Sequence, residues 1–417
     1  MRVLVTTAPG AGHLFPLVPL AWALRSAGHD LLLATAGGGV ELGPAAGLPT
    51  VDAAPGMDMG DVVRGLGARP GFTGKAVPDA RAHAVALFTE VGRRLLDGVR
   101  HAADLWQPDV VLHEGMEGAG PVVAAERGLP RVEHGISPAD RAGAMGASIQ
   151  QGLTDAAHVP AVATIGIAPP SMAPAPDPGW TIRTVPYNGG AVVPPSVLTA
   201  PERPRVLVTM GTVAPRMGGT GAIRALIEAL AAEPVEVLVA LGLDPAELGP
   251  LPTSVKAHRW VPLTAALPRC SAIVHHCGAG TTLSALAAGV PQVAVPQGAD
   301  QFLNADALVR RGCAVRSSTE PDELRAAVRR ALSGELAATA EDLRREIGAL
   351  PTPAAVAAEA RCAPRRTVSR RTRRGGSTTA SARTRAGARG GHATPSARTE
   401  LSEGVRSRDR RSGPGPW

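Results

Sequence analysis

Two histidines set the chemical question. His13 lies in a glycine-rich turn, Ala8 to Pro16, directly after the apolar stretch Arg2 to Thr7. A neutral imidazole is the side chain best matched to removing a proton near neutral pH. His276 lies in a second turn, His275-His276-Cys277-Gly278-Ala279-Gly280, which follows the apolar run Ala272 to Val274 and leads into Thr281 and Thr282. That second turn has the make-up of an anion site. Its glycines let the backbone approach a ligand, its hydroxyls can cap or donate, and the first-turn N–H groups of the helix it opens have no partner within the helix. Farther on, Pro291 to Pro296 reads as a strand ending at Gly298, Ala299, Asp300 and Gln301. Parallel strands present their carboxyl ends on one edge, so the anion turn and the acid-amide pair should face one crevice. One suits a diphosphate, the other a polyhydroxylated group.

A histidine base needs an acceptor on its other nitrogen to hold its tautomer. Glu114, at the end of a strand from Asp109 to Leu112 and His113, and Glu117, three residues on, are both within plausible reach; Glu114 is preferred because it follows the strand directly. The ordinary use of either carboxylate is to complement a helix dipole. Gly10-Ala11-Gly12 is a poor dinucleotide fingerprint, since Phe15 stands where the third glycine belongs and the second strand ends without an acid. No Asp-x-Asp and no clustered His/Cys set is present to hold a metal on a diphosphate. No metal and no cofactor is therefore expected, and charge on a departing diphosphate falls to backbone amides, hydroxyls and His276.

The elements that must position these groups follow from hydrophobic spacing. Arg2 to Thr7 reads as a buried strand, Leu17 to Ala27 as a helix closing at Gly28, and Asp30 to Ala34 as the next strand, which together make the opening βαβ unit of a doubly wound sheet. Ala36 to Ala80 reads as irregular and glycine-rich, with a loop at Pro55 to Phe72. Ala82 to Leu105 predicts a long helix, Gly118 to Arg127 another, and Arg131 to Glu133 a short strand. The proline-rich stretch from Pro160 to Pro204 reads as an interdomain connection. The chain then restarts, because RVLVTMGT at Arg205 to Thr212 echoes RVLVTTAPG at Arg2 to Gly10. A helix at Ile223 to Ala232, strands at Glu236 to Leu241 and Ala272 to Val274, a helix opening at Thr281 or Thr282, and helices at Pro321 to Leu332 and Ala340 to Ile347 complete a second domain of similar topology.

At 417 residues the chain suits two domains. Residues 1–190 and 191–360 are the expected division, with 361–417 a disordered, arginine-rich tail, read as a non-native extension or a polyanion-binding arm. The net charge of +7 misleads unless it is divided: the tail holds fifteen arginines against three acids, +12, which leaves the first 360 residues at −5. Nothing in the body reads as a nucleic-acid surface. The four cysteines lack zinc spacing and disulfide density, and the chain opens on a strand without a signal-peptide pattern, so a cytoplasmic protein with reduced thiols is expected. The apolar runs Val3 to Leu24 and Ala156 to Pro176 are broken by proline, and no membrane span is expected.

From Met1 to about Ala360 the sequence resembles GT-B glycosyltransferases of the inverting, natural-product type, and most closely actinobacterial enzymes that attach deoxysugars to antibiotics. HHCGAGTT, GVPQ and GADQ in succession carry the resemblance. It implies an α/β fold of two Rossmann-like doubly wound domains facing a central cleft, the first binding a small-molecule aglycone and the second a nucleoside diphosphate sugar, with thymidine as the favoured nucleoside. His276 would contact the donor diphosphate with Gly278, Gly280, Thr281 and Thr282, and Gly211 and Thr212 would line the same pocket. Trp260 and Val261 would hold the nucleobase, and Asp300 and Gln301 the sugar hydroxyls. His13, oriented by Glu114, would deprotonate the acceptor. The sequence departs from the pattern at Cys277, where a second glycine is common, and at Ser284, where plant relatives carry an acid that helps hold the donor. Two other readings stay open: a non-catalytic helper of a deoxysugar transferase, and a nucleotide-sugar epimerase of the same architecture. A homodimer or a helper protein is a possible partner.

Overall fold

In a computed structural model, which describes residues 1–66, 80–138, 144–155, 160–172, 179–211, 220–298 and 300–362, thirteen short strands pair in parallel into two sheets. The first sheet contains β1 (Arg2–Thr6), β2 (Asp30–Thr35), β3 (Thr50–Asp52), β4 (Val110–Glu114), β5 (Arg131–His134), β6 (Ala163–Gly166) and β7 (Trp180–Thr181), in the order β3-β2-β1-β4-β5-β6-β7. The second contains β8 (Arg205–Thr209), β9 (Glu236–Ala240), β10 (Val255–His258), β11 (Ala272–His275), β12 (Gln292–Ala294) and β13 (Ala314–Arg316), in the order β10-β9-β8-β11-β12-β13. The echo between Arg2 and Arg205 is thus a true topological repeat. Both chains of strands begin in the middle of a sheet, run outward, and return to the other side of the first strand.

The central strands are apolar in their middles because helices cover both faces of each sheet. Every residue of β8 and β11 is buried, as are Val3 to Thr6 of β1. Such strands read as continuous Val/Leu/Ile runs rather than alternating ones. Strand order reverses between β1 and β4, and again between β8 and β11. Ligands of doubly wound sheets bind outside the carboxyl ends of strands at these switch points. The His13 turn follows β1, Glu114 ends β4, Gly211 follows β8 and the His276 turn follows β11, so all four fall at the two reversals.

The long helix expected at Ala82 to Leu105 runs Ala80–Trp106. Two stretches differ from expectation. Within Ala36 to Ala80 the chain forms a helix, Gly38–Ala45, then β3, then a second helix, Met59–Gly65. The glycines that made this region look irregular serve close approach: a Cβ on Gly39 would lie 2.4 Å from Thr35 Oγ1, and one on Gly43 would lie 2.2 Å from Thr50 Oγ1. Part of the loop at Pro55 to Phe72 lies outside the described residues. The stretch Pro160 to Pro204 holds β6 and β7, the two outer strands of the first sheet, so only 182–204 joins the sheets. Short strands at a sheet edge tolerate neighbouring prolines, which have few ladder bonds to remove.

Met1–Arg361 form one compact unit. One apolar cluster runs from Val3, Leu20 and Leu33 of the first sheet and its helices to Leu283, Leu308, Ile347 and Val356 of the second half. The joining segment is also pinned: Arg183 N–H donates to the Pro351 carbonyl at 2.7 Å. The residues after 362 lie outside those described.

Candidate functional site

His13 is presented by a one-turn helix, Ala11–Leu14, that starts at Gly10 with φ of 112°, a conformation that favours glycine. Its Nδ1 lies 3.0 Å from Glu114 Oε1. Glu114 is fully buried, and its oxygens also accept from the N–H groups of Ala8 at 3.2 Å and Met116 at 2.6 Å. A carboxylate held in this way can only accept from the ring, so His13 carries its proton on Nδ1 and its lone pair on Nε2. Phe88 packs against the imidazole with centroids 5.1 Å apart and restricts its tilt. Of the two carboxylates considered, Glu114 is the partner. Glu117 instead accepts from Thr6 Oγ1 at 2.5 Å and from the amides of Ala119 and Gly120, at the start of helix Ala119–Arg127. Burial pushes the Glu117 carboxyl up to about 7, against the pull of those hydrogen bonds.

The anion turn is built around the two histidines in different ways. His275 is fully buried and structural: its Nδ1 accepts from the Cys277 N–H at 3.1 Å, and its Nε2 faces Gln292 Oε1 at 2.9 Å. Burial lowers its pKa to about 3. His276 is partly exposed, and its ring is clasped by glycines. A Cβ on Gly211 would come within 2.6 Å of its Cε1, and one on Gly278 within 2.4 Å of its Nε2. These glycines therefore seat the imidazole. Loss of water around the ring lowers the His276 pKa to about 4, a backbone bond with Thr209 opposing, and its Nδ1 is buried without a partner among the described residues. At neutral pH the ring is therefore uncharged.

The helix after the turn runs Ala279–Ala288 from Gly278, two or three residues before the expected opening at Thr281 or Thr282, and no side chain caps it. Ala279, Gly280 and Thr281 line a cavity together with Gly211, Trp260, Val261, His276 and Gly278, and Ala11, Gly12 and Phe15 close it from the first domain. Thr282 is fully buried, away from that space. Thr212 lies outside the described residues. Trp260 donates from Nε1 to the Asn188 carbonyl at 3.0 Å, and Val261 is buried beneath. Ser284, in the position of the plant acid, donates to the Gly280 carbonyl at 2.7 Å and accepts from Asn188 Nδ2 at 3.0 Å.

Asp300 and Gln301 open the helix Gln301–Arg311. Asp300 is exposed, and its Oδ2 accepts from Asn304 Nδ2 at 2.9 Å. Loss of water around the carboxyl raises it above the ordinary range, and the bond from Asn304 pulls the other way. Gln301 is buried, and its Oε1 accepts from the amides of Gln297 and Gly298 at 2.8 and 3.2 Å. Its side-chain carbonyl thus holds the turn. Neither His13, Glu114, Asp300 nor Gln301 lines the cavity around Trp260 and His276. The sequence reading missed Asn188, whose side chain also accepts from the Thr264 N–H at 3.2 Å, and Asn304. Asn304 had a local signal, one helical turn after Asp300; Asn188 had none, because its partners are 72 to 96 residues distant.

Two doubly wound parallel-sheet domains in one compact unit have the GT-B glycosyltransferase architecture. The erythromycin biosynthesis protein CIII-like N-terminal domain matches residues 22–211 and the corresponding C-terminal domain matches residues 224–362. The chain belongs to this family of antibiotic glycosyltransferases. It is 42% identical to the elloramycin glycosyltransferase of Streptomyces olivaceus, over 86% of this chain and 96% of the relative. The L-demethylnoviosyl transferase of Streptomyces niveus is 39% identical over 78% of this chain and 87% of its own. The crystal structure of the Streptomyces sp. SF2575 glycosyltransferase SsfS6 in complex with thymidine diphosphate superimposes with a TM-score of 0.74 at 32% identity, covering 87% of this chain and 100% of that one. Among the described residues no helix is long and apolar enough to cross a membrane.

Proposed function

We propose that this glycosyltransferase moves a deoxysugar from a thymidine diphosphate donor to a hydroxyl of a secondary-metabolite aglycone, with inversion at the anomeric carbon and without a metal ion. The observation that carries the reading is the His13–Glu114 pair at the switch point of one sheet, with the uncapped N-terminus of the helix Ala279–Ala288 and His276 at the switch point of the other. Glu114 holds His13 so that Nε2 takes the acceptor proton. The oxygen attacks the anomeric carbon as the bond to the diphosphate breaks, and the leaving charge falls to the open amides of Ala279, Gly280 and Thr281 and to His276. Asp300 and the Gln301 amide hold sugar hydroxyls, while Trp260 and Val261 hold the base. Gly278 and Gly211 act through the ring they seat. The relative bound to thymidine diphosphate supports the choice of nucleoside.

The test is incubation with thymidine and uridine diphosphate sugars and a panel of phenolic and macrolide aglycones. The reading predicts release of thymidine diphosphate together with an aglycone heavier by one sugar and of inverted anomeric configuration, unaffected by EDTA. Donor isomerised or hydrolysed at full rate without an aglycone would favour the epimerase reading, and donor binding without turnover would favour the helper.

A further inference from the structure

Asn304 is fully buried in the helix Gln301–Arg311, between Leu303 and Ala305, and every polar atom of its side chain is used. One Nδ2 hydrogen goes to the carbonyl of Cys277 at 3.0 Å, directly before Gly278 in the anion turn. The other goes to Asp300 Oδ2 at 2.9 Å. Its Oδ1 accepts from the hydroxyl of Ser137 at 2.8 Å, and Ser137 belongs to the first domain, three residues beyond β5. A single amide thus touches the anion turn, the acid and the opposite domain. No other residue type supplies two donors and an acceptor in this planar arrangement except glutamine, which is one methylene longer. Aspartate would set a second carboxylate against Asp300 and a lone pair against the Cys277 carbonyl. Leucine would take the donors from the Cys277 carbonyl and Asp300 and the acceptor from Ser137, and a buried carbonyl stripped of its donor costs more than a lost surface hydrogen bond.

We propose that Asn304 is a positioning residue that aims the Asp300 carboxylate at the donor sugar and, through Ser137, registers that aim against the domain that carries His13. The inference rests on the assignment of Asp300 to the sugar made above. It adds that the acid is held by a side chain that also reads domain closure. With Ser137 engaged, Asn304 has its plane fixed, and so have Asp300 and the Cys277 carbonyl. Without Ser137 the two Nδ2 bonds still hold the amide against Asp300 and Cys277, but its tie to the first domain is gone, and sugar and base lose their common reference.

Calorimetry with thymidine diphosphate and with thymidine diphosphate glucose separates the sugar from the rest of the donor. Asn304→Asp is expected to lose about tenfold more affinity for the sugar nucleotide than for thymidine diphosphate, whose smaller loss reads the disturbed Cys277 carbonyl. Ser137→Ala, which removes one hydroxyl and should fold, is expected to keep both affinities within about twofold. Its kcat for transfer to the best aglycone should drop about tenfold with donor KM unchanged, and donor hydrolysis should rise relative to transfer. Parental kcat in Ser137→Ala would overturn the coupling. Parental sugar-nucleotide affinity in a folded Asn304→Asp, with Asp300→Asn impaired, would overturn the positioning role. If Asp300→Asn itself bound the sugar nucleotide normally, the sugar contact would fail instead, a separate failure read from a separate variant.

Discussion

Glu114 Oε1 and His13 Nδ1 lie 3.0 Å apart although 101 residues separate them, because β1 and β4 are neighbours and both end at the switch point of the first sheet. The carboxylate is further fixed by two backbone amides, so the ring has one stable tautomer.

This arrangement makes His13 and Glu114 a unit. His13→Ala should lower kcat by about 10²- to 10⁴-fold at saturating donor, the range for loss of a general base. Glu114→Gln should lower kcat too, since an amide can turn its NH₂ toward the ring and stabilise the wrong tautomer. Donor affinity should be unchanged in both. The double variant should be little worse than His13→Ala alone, because both act on one proton transfer. Additive losses in the double-variant cycle would separate the two residues.

Cys277 occupies the left-handed region with φ of 64°, next to the fully buried His275 and with its own side chain fully buried. An L-residue there costs about 1–2 kcal/mol relative to glycine, which gives a physical reason for the glycine common at this position in the resembling sequences. Cys277→Gly relieves that cost and loses the burial of one small side chain, so the melting temperature should barely move. Cys277→Val adds a β-branched side chain to the same conformation and should melt clearly lower. The thiol, pushed up to about 12 by burial, should resist alkylation in the folded protein at pH 8.

Stability should fall on mild acidification. His134, His275 and His276 have pKa values lowered by burial to about 4, 3 and 4. In the unfolded chain a histidine gains its proton near 6.5, so each contributes stability above that pH that is lost as pH falls toward its folded value. Glu117, raised to about 7, works in the opposite sense: its contribution is present at low pH and is lost as pH rises from about 4.5 to 7. Three groups oppose one, so the melting temperature should drop between pH 6.5 and 4.5. Glu117→Gln removes the opposing group and should make that drop steeper, which thermal melts across the window can check.

What the sequence made legible is what local pattern encodes. The strands at Arg2 and Arg205 are buried on both faces and read as apolar runs, and the turn at His276 announces itself by its glycines. Glycine said that something comes close but not what: at Gly211 and Gly278 it is the His276 ring, and at Gly39 and Gly43 it is a strand threonine under a helix. Gln301 also holds its own turn through Oε1, a bond to the amides of residues three and four positions earlier that the helical pattern does not announce. Asn188 and the Ser137–Asn304 bond join residues 72 to 167 positions apart, and no periodicity reports such pairs.

Trp260 tests the nucleotide end of the cavity. Its indole is held by the Nε1 bond to the Asn188 carbonyl and lies against Gly189, where a Cβ would sit 3.7 Å from the ring. Stacking of a base on an aromatic ring is worth about 1–3 kcal/mol, so Trp260→Ala should weaken thymidine diphosphate binding by roughly 5- to 150-fold. Trp260→Phe keeps a stacking face but leaves the Asn188 carbonyl without its donor, and should cost only part of that. Because Asn188 also contacts Ser284 and the Thr264 amide, Asn188→Ala should weaken binding by freeing the indole even though Trp260 itself is intact. Calorimetry on the three variants orders the effects. Equal affinity in Trp260→Ala and the parent would move the base elsewhere in the cavity.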